Sequence, residues 1–110
     1  MKVTKRPWGE FKLFALNENC TVKILEINKN ESLSLQKHKN RREIWYFLAD
    51  GWVQVGNKIW KAKKGETVKI GKMKKHKIFS KGGEIKVLEI SYDKFDENDE
   101  IRLEDKYGRK

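Results

Sequence analysis

Short runs of apolar residues, each bounded by turn-forming or charged residues, recur along most of the chain. Residues 21–27 and 85–92 come close to alternating apolar and polar side chains, as strands with one buried face do. Residues 44–48 are continuously apolar, which is typical of a strand buried on both faces. The other strand-like runs are equally short and lie at 32–36, 52–55, 58–61, 67–70 and 76–79. The pattern therefore predicts an all-β chain.

Turn signals separate the predicted strands. The Asp50–Gly51 pair is a strong hairpin signal, and glycines at 56 and 82–83 mark further reversals. Because many short strands expose many edges, and helical periodicity is almost absent, we predict a small antiparallel double-sheet jelly roll. We expect a single domain over 1–110, with an N-terminal segment at 1–20, a barrel core at 21–92 and a charged tail at 93–110, irregular or briefly helical.

The chain is strongly basic. Its 26 Lys and Arg residues against 16 Asp and Glu give a net charge of +10, which favours anionic partners. Lysine is spread through every segment, with neither an arginine-rich arm nor the aromatic spacing of an RNA-binding sheet. We therefore interpret the charge as a solubilising or thermally adapted surface in preference to a nucleic-acid footprint, and keep a nucleic-acid partner only as an alternative.

Cysteine usage and the length of the apolar runs indicate the compartment. Cys20 is the single cysteine, so no internal disulfide forms and packing alone must hold the fold. No run approaches the roughly 18 apolar residues of a membrane span, and the N-terminus lacks the apolar stretch of a signal peptide. We expect a cytoplasmic protein without membrane association.

Four side chains that commonly ligate metals fall in two stretches of the chain. If residues 32–38 are extended, Gln36 and His38 point to the same face, and Glu43 opens the next apolar run. The fourth, His76, lies far downstream. Two imidazoles, a carboxylate and an amide suit one divalent ion such as zinc, iron, cobalt, nickel or manganese. Without a metal, Gln36 would hydrogen-bond inside the barrel and Glu43 would pair with a neighbouring arginine.

These residues also carry a family resemblance. The LSLQ block at 33–36, followed by His38, Arg41, Glu43 and Trp45 and later by His76, resembles the two signature motifs of the cupin superfamily, with Gln36 in place of the leading histidine. With RPWG at 6–9 and DKYGR at 105–109, the series more closely resembles type II mannose-6-phosphate isomerase. In that family these blocks form the cupin domain at the C-terminus of bifunctional guanylyltransferase/isomerase enzymes.

The resemblance implies an activity for a single cupin domain. A metal-dependent isomerase of this kind interconverts mannose-6-phosphate and fructose-6-phosphate by proton transfer beside a carbonyl, with the ion stabilising the enediolate as a Lewis acid. The sequence does not single out the general base. The glycine-rich phosphate loop of the nucleotidyltransferase domain is absent from these 110 residues, so we expect no guanylyltransferase activity.

Arginine residues are the expected anchors for a phosphorylated sugar, since the planar guanidinium matches a phosphate. Arg41, three residues after His38, and Arg109 in the tail are the first candidates. Arg6 and Tyr107 are further candidates for contacts with the substrate. Small jelly rolls often pair through an edge strand, so we also expect a homodimer.

Two other functions fit the same residues. The chain can be a non-catalytic, metal-binding cupin that holds a sugar or sugar phosphate, or one that assists a separate nucleotidyltransferase in polysaccharide precursor synthesis. Alternatively, the basic surface binds nucleic acid, in which case affinity falls steeply with salt and ignores chelators. Response to chelation distinguishes these interpretations.

Overall fold

Every regular element in the computed structural model is a β-strand, over the described residues 1–93, 96 and 98–103. The strands are β1 (Lys2–Arg6), β2 (Gly9–Leu13), β3 (Cys20–Ile27), β4 (Gln36–Lys37), β5 (Glu43–Phe47), β6 (Gly51–Val55), β7 (Lys58–Ala62), β8 (Thr67–Ile70), β9 (His76–Phe79), β10 (Ile85–Tyr92) and β11 (Ile101–Arg102). This confirms the predicted all-β class. The described part of the chain offers no helical membrane span.

The strands pair in antiparallel fashion into a hairpin and two larger sheets. The smaller sheet has the order β3-β10-β5-β8, and the larger sheet has the order β11-β4-β9-β6-β7. β1 and β2 form a separate hairpin, joined by Pro7 and Trp8. Among the described residues, strand hydrogen bonds keep the two sheets separate instead of closing them into one continuous barrel. Two packed antiparallel sheets confirm the predicted double-sheet jelly roll.

The core lies between the two sheets. Side chains alternate along each strand, so Trp45 and Phe47 of β5 point inward from the smaller sheet. Val53 of β6 and Ile78 of β9 meet them from the larger sheet, and all four residues are 0% exposed. Burial of an apolar side chain of this kind contributes about 1.5–3 kcal/mol, so this contact is a main source of the stability of the fold.

Some strands differ from the predicted pattern. The strand predicted at 32–36 is shorter and shifted, since β4 covers only 36–37. Upstream of it, Ser32 forms an isolated bridge with Phe79. β1 and β2 were not predicted, since most of their side chains are exposed and show no alternation of buried positions. β11 pairs with β4, so part of the tail expected to be irregular or helical is a strand.

The Asp50–Gly51 pair is not a hairpin turn, contrary to the prediction from its sequence. β5 belongs to the smaller sheet and β6 to the larger sheet, so the chain crosses between sheets at this point. A glycine is required there for space, because a Cβ at Gly51 would lie 2.7 Å from Cγ2 of the buried Ile85. Asp50 instead accepts a hydrogen bond from the Lys64 amide at 2.7 Å.

Replacing Gly51 with alanine should destabilise the fold. The new methyl group overlaps Ile85, which is 2% exposed and cannot swing into solvent. Overpacking of this kind costs about 1–3 kcal/mol, which urea denaturation would measure as a lower midpoint with an unchanged slope. The matched control is Gly83→Ala, where a Cβ meets nothing within 4 Å. Equal midpoints for the two variants would show that the crossover is loosely packed.

Candidate metal centre

Three residues that are distant in sequence meet in the interior. His38 follows β4, Glu43 is the first residue of β5, and His76 is the first residue of β9. They are 3%, 2% and 1% exposed, respectively. One potential ligand atom from each lies within 4.8 Å of those of the other two. We call this group the His-Glu-His cluster; it joins the smaller sheet, through Glu43, to the larger sheet, through His76.

Hydrogen bonding fixes the tautomer of His76. Its Nδ1 lies 2.8 Å from the Lys74 carbonyl, which can only accept, so Nδ1 carries the proton and Nε2 carries a lone pair. Burial lowers the pKa of His76 to about 4, so the ring is neutral near pH 7. The 3.4 Å approach of Nε2 to Glu43 Oε1 is therefore a contact between two acceptors rather than an ion pair.

The hydrogen bonding of these two acceptor atoms indicates whether the cluster suits a cation. Among the described residues, neither Glu43 Oε1 nor His76 Nε2 has a hydrogen-bond partner, and both are buried. Buried acceptors left unsatisfied cost about 1–3 kcal/mol each. A cation bound between them would satisfy both, and imidazole and carboxylate are ordinary ligands for divalent transition metals. The residues of the cluster thus fit a divalent metal ion.

Glu43 is held in place from the neighbouring strand. Ser91 of β10 lies directly opposite it, and the Ser91 hydroxyl donates to Glu43 Oε2 at 2.9 Å. His76 is held by packing, with its ring edge-on to Trp45 at 5.3 Å between centroids. These contacts orient the carboxylate and the imidazole in the absence of a metal ion.

Arg41 also lies in the interior, against the His-Glu-His cluster. His38 donates Nδ1–H to the Asp99 carbonyl at 2.8 Å, so its Nε2 lone pair is available to accept from Arg41 Nη2 at 3.0 Å. Arg41 Nε lies 3.3 Å from Glu43 Oε2, and the arginine is 7% exposed. The structure thus contains both predicted environments of Glu43: the ligand cluster on one oxygen and an arginine on the other.

The predicted fourth metal ligand, Gln36, lies near the cluster, whereas the predicted substrate-binding residue Arg6 does not. Gln36 is opposite His76 in the pairing of β4 with β9, so both residues lie on the inner face of the larger sheet. Arg6 is exposed on the separate hairpin, where its guanidinium covers Phe11 at 5.4 Å. The structure does not bring Arg6 to the cluster. Tyr107 and Arg109 lie outside the described residues.

One buried carboxylate was not predicted from the sequence. Glu89 of β10 is 8% exposed, and the Trp45 indole N–H donates to its Oε2 at 3.1 Å. Burial, followed by the nearby charge of Glu43, raises the pKa of Glu89. A signal was present, because Glu89 has the same strand parity as the buried Ile85 and Val87, where an apolar residue is expected.

Comparison with known proteins places the chain in a family. The family model described as the C-terminal domain of mannose-6-phosphate isomerase matches residues 1–105. Mannose-1-phosphate guanylyltransferase ManC of Salmonella typhimurium is 28% identical over 107 residues, covering 94% of this chain and 22% of that protein. Xanthan biosynthesis protein XanB of Xanthomonas campestris pv. campestris (strain B100) is 27% identical over 108 residues, covering 94% and 23%. The chain thus spans less than a quarter of the length of these relatives.

A solved structure supports the fold. The cupin 2 conserved barrel domain protein of Rhodopseudomonas palustris superposes with a TM-score of 0.65 and 23% identity, covering 76% of this chain and 59% of that one. The cupin resemblance of the motifs is thereby confirmed at the level of architecture. With the family model matching nearly the whole chain, the protein belongs to the mannose-6-phosphate isomerase C-terminal family, with a cupin fold.

Proposed function

We propose that this domain binds one divalent metal ion through His38, Glu43 and His76, with Gln36 as a fourth ligand, and interconverts mannose-6-phosphate and fructose-6-phosphate. The observation that carries the proposal is the buried His-Glu-His cluster, in which two acceptor atoms face each other without hydrogen-bond partners in the described part of the chain. Family membership supports the choice of substrate.

The reaction requires removal of a proton beside a carbonyl and its return to the neighbouring carbon. A divalent ion supplies stabilisation for the negative charge that develops on the sugar oxygens. The described residues include two buried carboxylates, Glu43 and Glu89. Glu43 is a proposed metal ligand whose second oxygen lies against Arg41 and Ser91, so we assign the general base to Glu89.

The surroundings of Glu89 suit that role. Its Oε2 is held by the Trp45 indole, which fixes the carboxylate on the inner face of β10. The raised pKa brings the carboxyl closer to neutral pH, where a general base transfers protons most effectively. Arg41, buried beside the cluster, is our proposed anchor for the phosphate.

A second candidate function is non-catalytic. The relative ManC is named as a mannose-1-phosphate guanylyltransferase, and that name gives no isomerase activity, so a domain that binds a sugar phosphate in support of nucleotidyl transfer is the second candidate. This candidate shares the metal ion and the sugar phosphate with the isomerase and lacks only turnover. The predicted homodimer stays a prediction in either case.

The metal ligands are tested by elemental analysis of the purified protein. We expect about one equivalent of a divalent transition metal in the wild type and a clear loss of metal in His38→Ala and His76→Ala. Their metal affinity should fall by more than roughly 100-fold, since changing a residue that only contacts a metal ligand already costs about 10- to 100-fold. Lys39→Ala, next to His38 and exposed, is the matched control and should keep its metal. Full metal content in either histidine variant would contradict the ligand assignment.

Activity is tested with mannose-6-phosphate as substrate. The metal-loaded protein should produce fructose-6-phosphate, lose this activity in EDTA and regain it when zinc, manganese, cobalt, nickel or iron is restored, because the developing charge needs the cation. A coupled assay for fructose-6-phosphate measures all three steps. Binding of mannose-6-phosphate without turnover, in protein of full metal content, would favour the non-catalytic candidate instead.

Glu89→Gln separates the base from the metal site. Loss of a general base typically lowers kcat by about 10²- to 10⁴-fold, while metal content should stay at the wild-type level because Glu89 is not a proposed ligand. The matched control is Glu26→Gln on β3, whose side chain is 69% exposed and pairs with Lys86. Wild-type kcat in Glu89→Gln would rule out the assignment of the base and leave the isomerase proposal standing.

A further inference from the structure

We infer that Arg41 and the divalent metal ion compete for the same lone pair of His38, so that Arg41 weakens and thereby tunes metal binding. The inference rests on the metal-binding part of the proposed function. It gives the buried arginine a role toward the metal in addition to its proposed contact with phosphate.

The competition follows from the hydrogen bonds of His38. Its Nδ1–H is donated to the Asp99 carbonyl at 2.8 Å, which leaves Nε2 as the one ring atom with a lone pair. That lone pair accepts from Arg41 Nη2 at 3.0 Å. A guanidinium has donors only, so Arg41 cannot share Nε2 with a second cation. A metal ion that takes His38 as a ligand must therefore break the contact with Arg41.

Glu43 brings the Arg41 guanidinium and the proposed metal ion close together. Its Oε2 is 3.3 Å from Arg41 Nε, and its Oε1 is 3.4 Å from His76 Nε2. Arg41 is 7% exposed, and burial strengthens the repulsion between its fixed positive charge and a metal ion at the cluster. Of the three members of the cluster, Arg41 thus contacts two, His38 and Glu43.

The neighbouring Arg42 provides a matched control. It is consecutive in sequence and of the same charge, but its Nε pairs with Asp93 at 3.6 Å and its guanidinium lies over the Tyr92 ring at 4.3 Å. Its side chain is 47% exposed, outside the cluster. Removing Arg42 therefore changes the net charge of the protein by the same amount without freeing His38.

Calorimetric titration with zinc alone tests the inference. Arg41→Met, which keeps side-chain bulk and removes the charge, should bind zinc at least about tenfold more tightly than wild type, the size of effect that groups around metal ligands produce. Arg42→Met should stay within about twofold of wild type, as expected for an exposed charge. Equal or weaker binding by Arg41→Met would overturn the competition while the metal site stands. Absence of zinc binding in wild type, Arg41→Met and Arg42→Met alike would overturn the metal site as well.

A second measurement uses the wild-type protein and does not depend on the folding of a variant. In ¹⁵N-labelled protein, the side-chain NMR signals of Arg41 and the Nε2 signal of His38 should shift together as zinc is added, with the same stoichiometry. The Arg42 side-chain signal should not move. A shift of His38 Nε2 with no change at Arg41 would show that the metal and the arginine do not exclude each other.

Discussion

The alternation of side chains along β5 is the constraint on which the site depends. Glu43, Trp45 and Phe47 share one parity and all point into the space between the sheets. Two of them, Trp45 and Phe47, belong to the apolar core, and the third, Glu43, brings a carboxylate into the same low-dielectric interior. A buried carboxylate is costly unless it is hydrogen-bonded or paired, and this requirement explains why Ser91 and Arg41 lie against Glu43 Oε2, while Oε1 faces His76 Nε2 without a hydrogen bond.

Trp45 links packing to chemistry. It is 0% exposed and belongs to the main apolar cluster. The same indole packs edge-on against His76 and donates its N–H to Glu89. Trp45 therefore helps to position both the proposed metal ligand His76 and the proposed base Glu89, so the geometry of the site depends on the packing of the core.

Sequence patterns predicted the parts of the fold in which burial and alternation coincide. β3 and β10 follow this rule, and three of the four motif residues predicted as ligands, His38, Glu43 and His76, have potential ligand atoms within 4.8 Å of one another. The crossover at Gly51 was misread because a turn dipeptide does not reveal to which sheet the next strand pairs. The contact of Arg41 with His38 depends on side-chain conformation in a packed interior, which residue order does not encode. Glu89 was not predicted because the pattern of apolar residues identified its strand, and that pattern gives no role to a charged residue within the strand.

The placement of the cluster across the two sheets has a thermodynamic consequence. In the described residues, backbone hydrogen bonds do not join the smaller sheet to the larger one, and Glu43 meets His76 across that divide. A metal ion held by both residues would bind across the two sheets of the folded state only, so it would raise the free energy of unfolding by an amount that grows with its concentration and affinity. Melting temperature would then serve as a gauge of site occupancy.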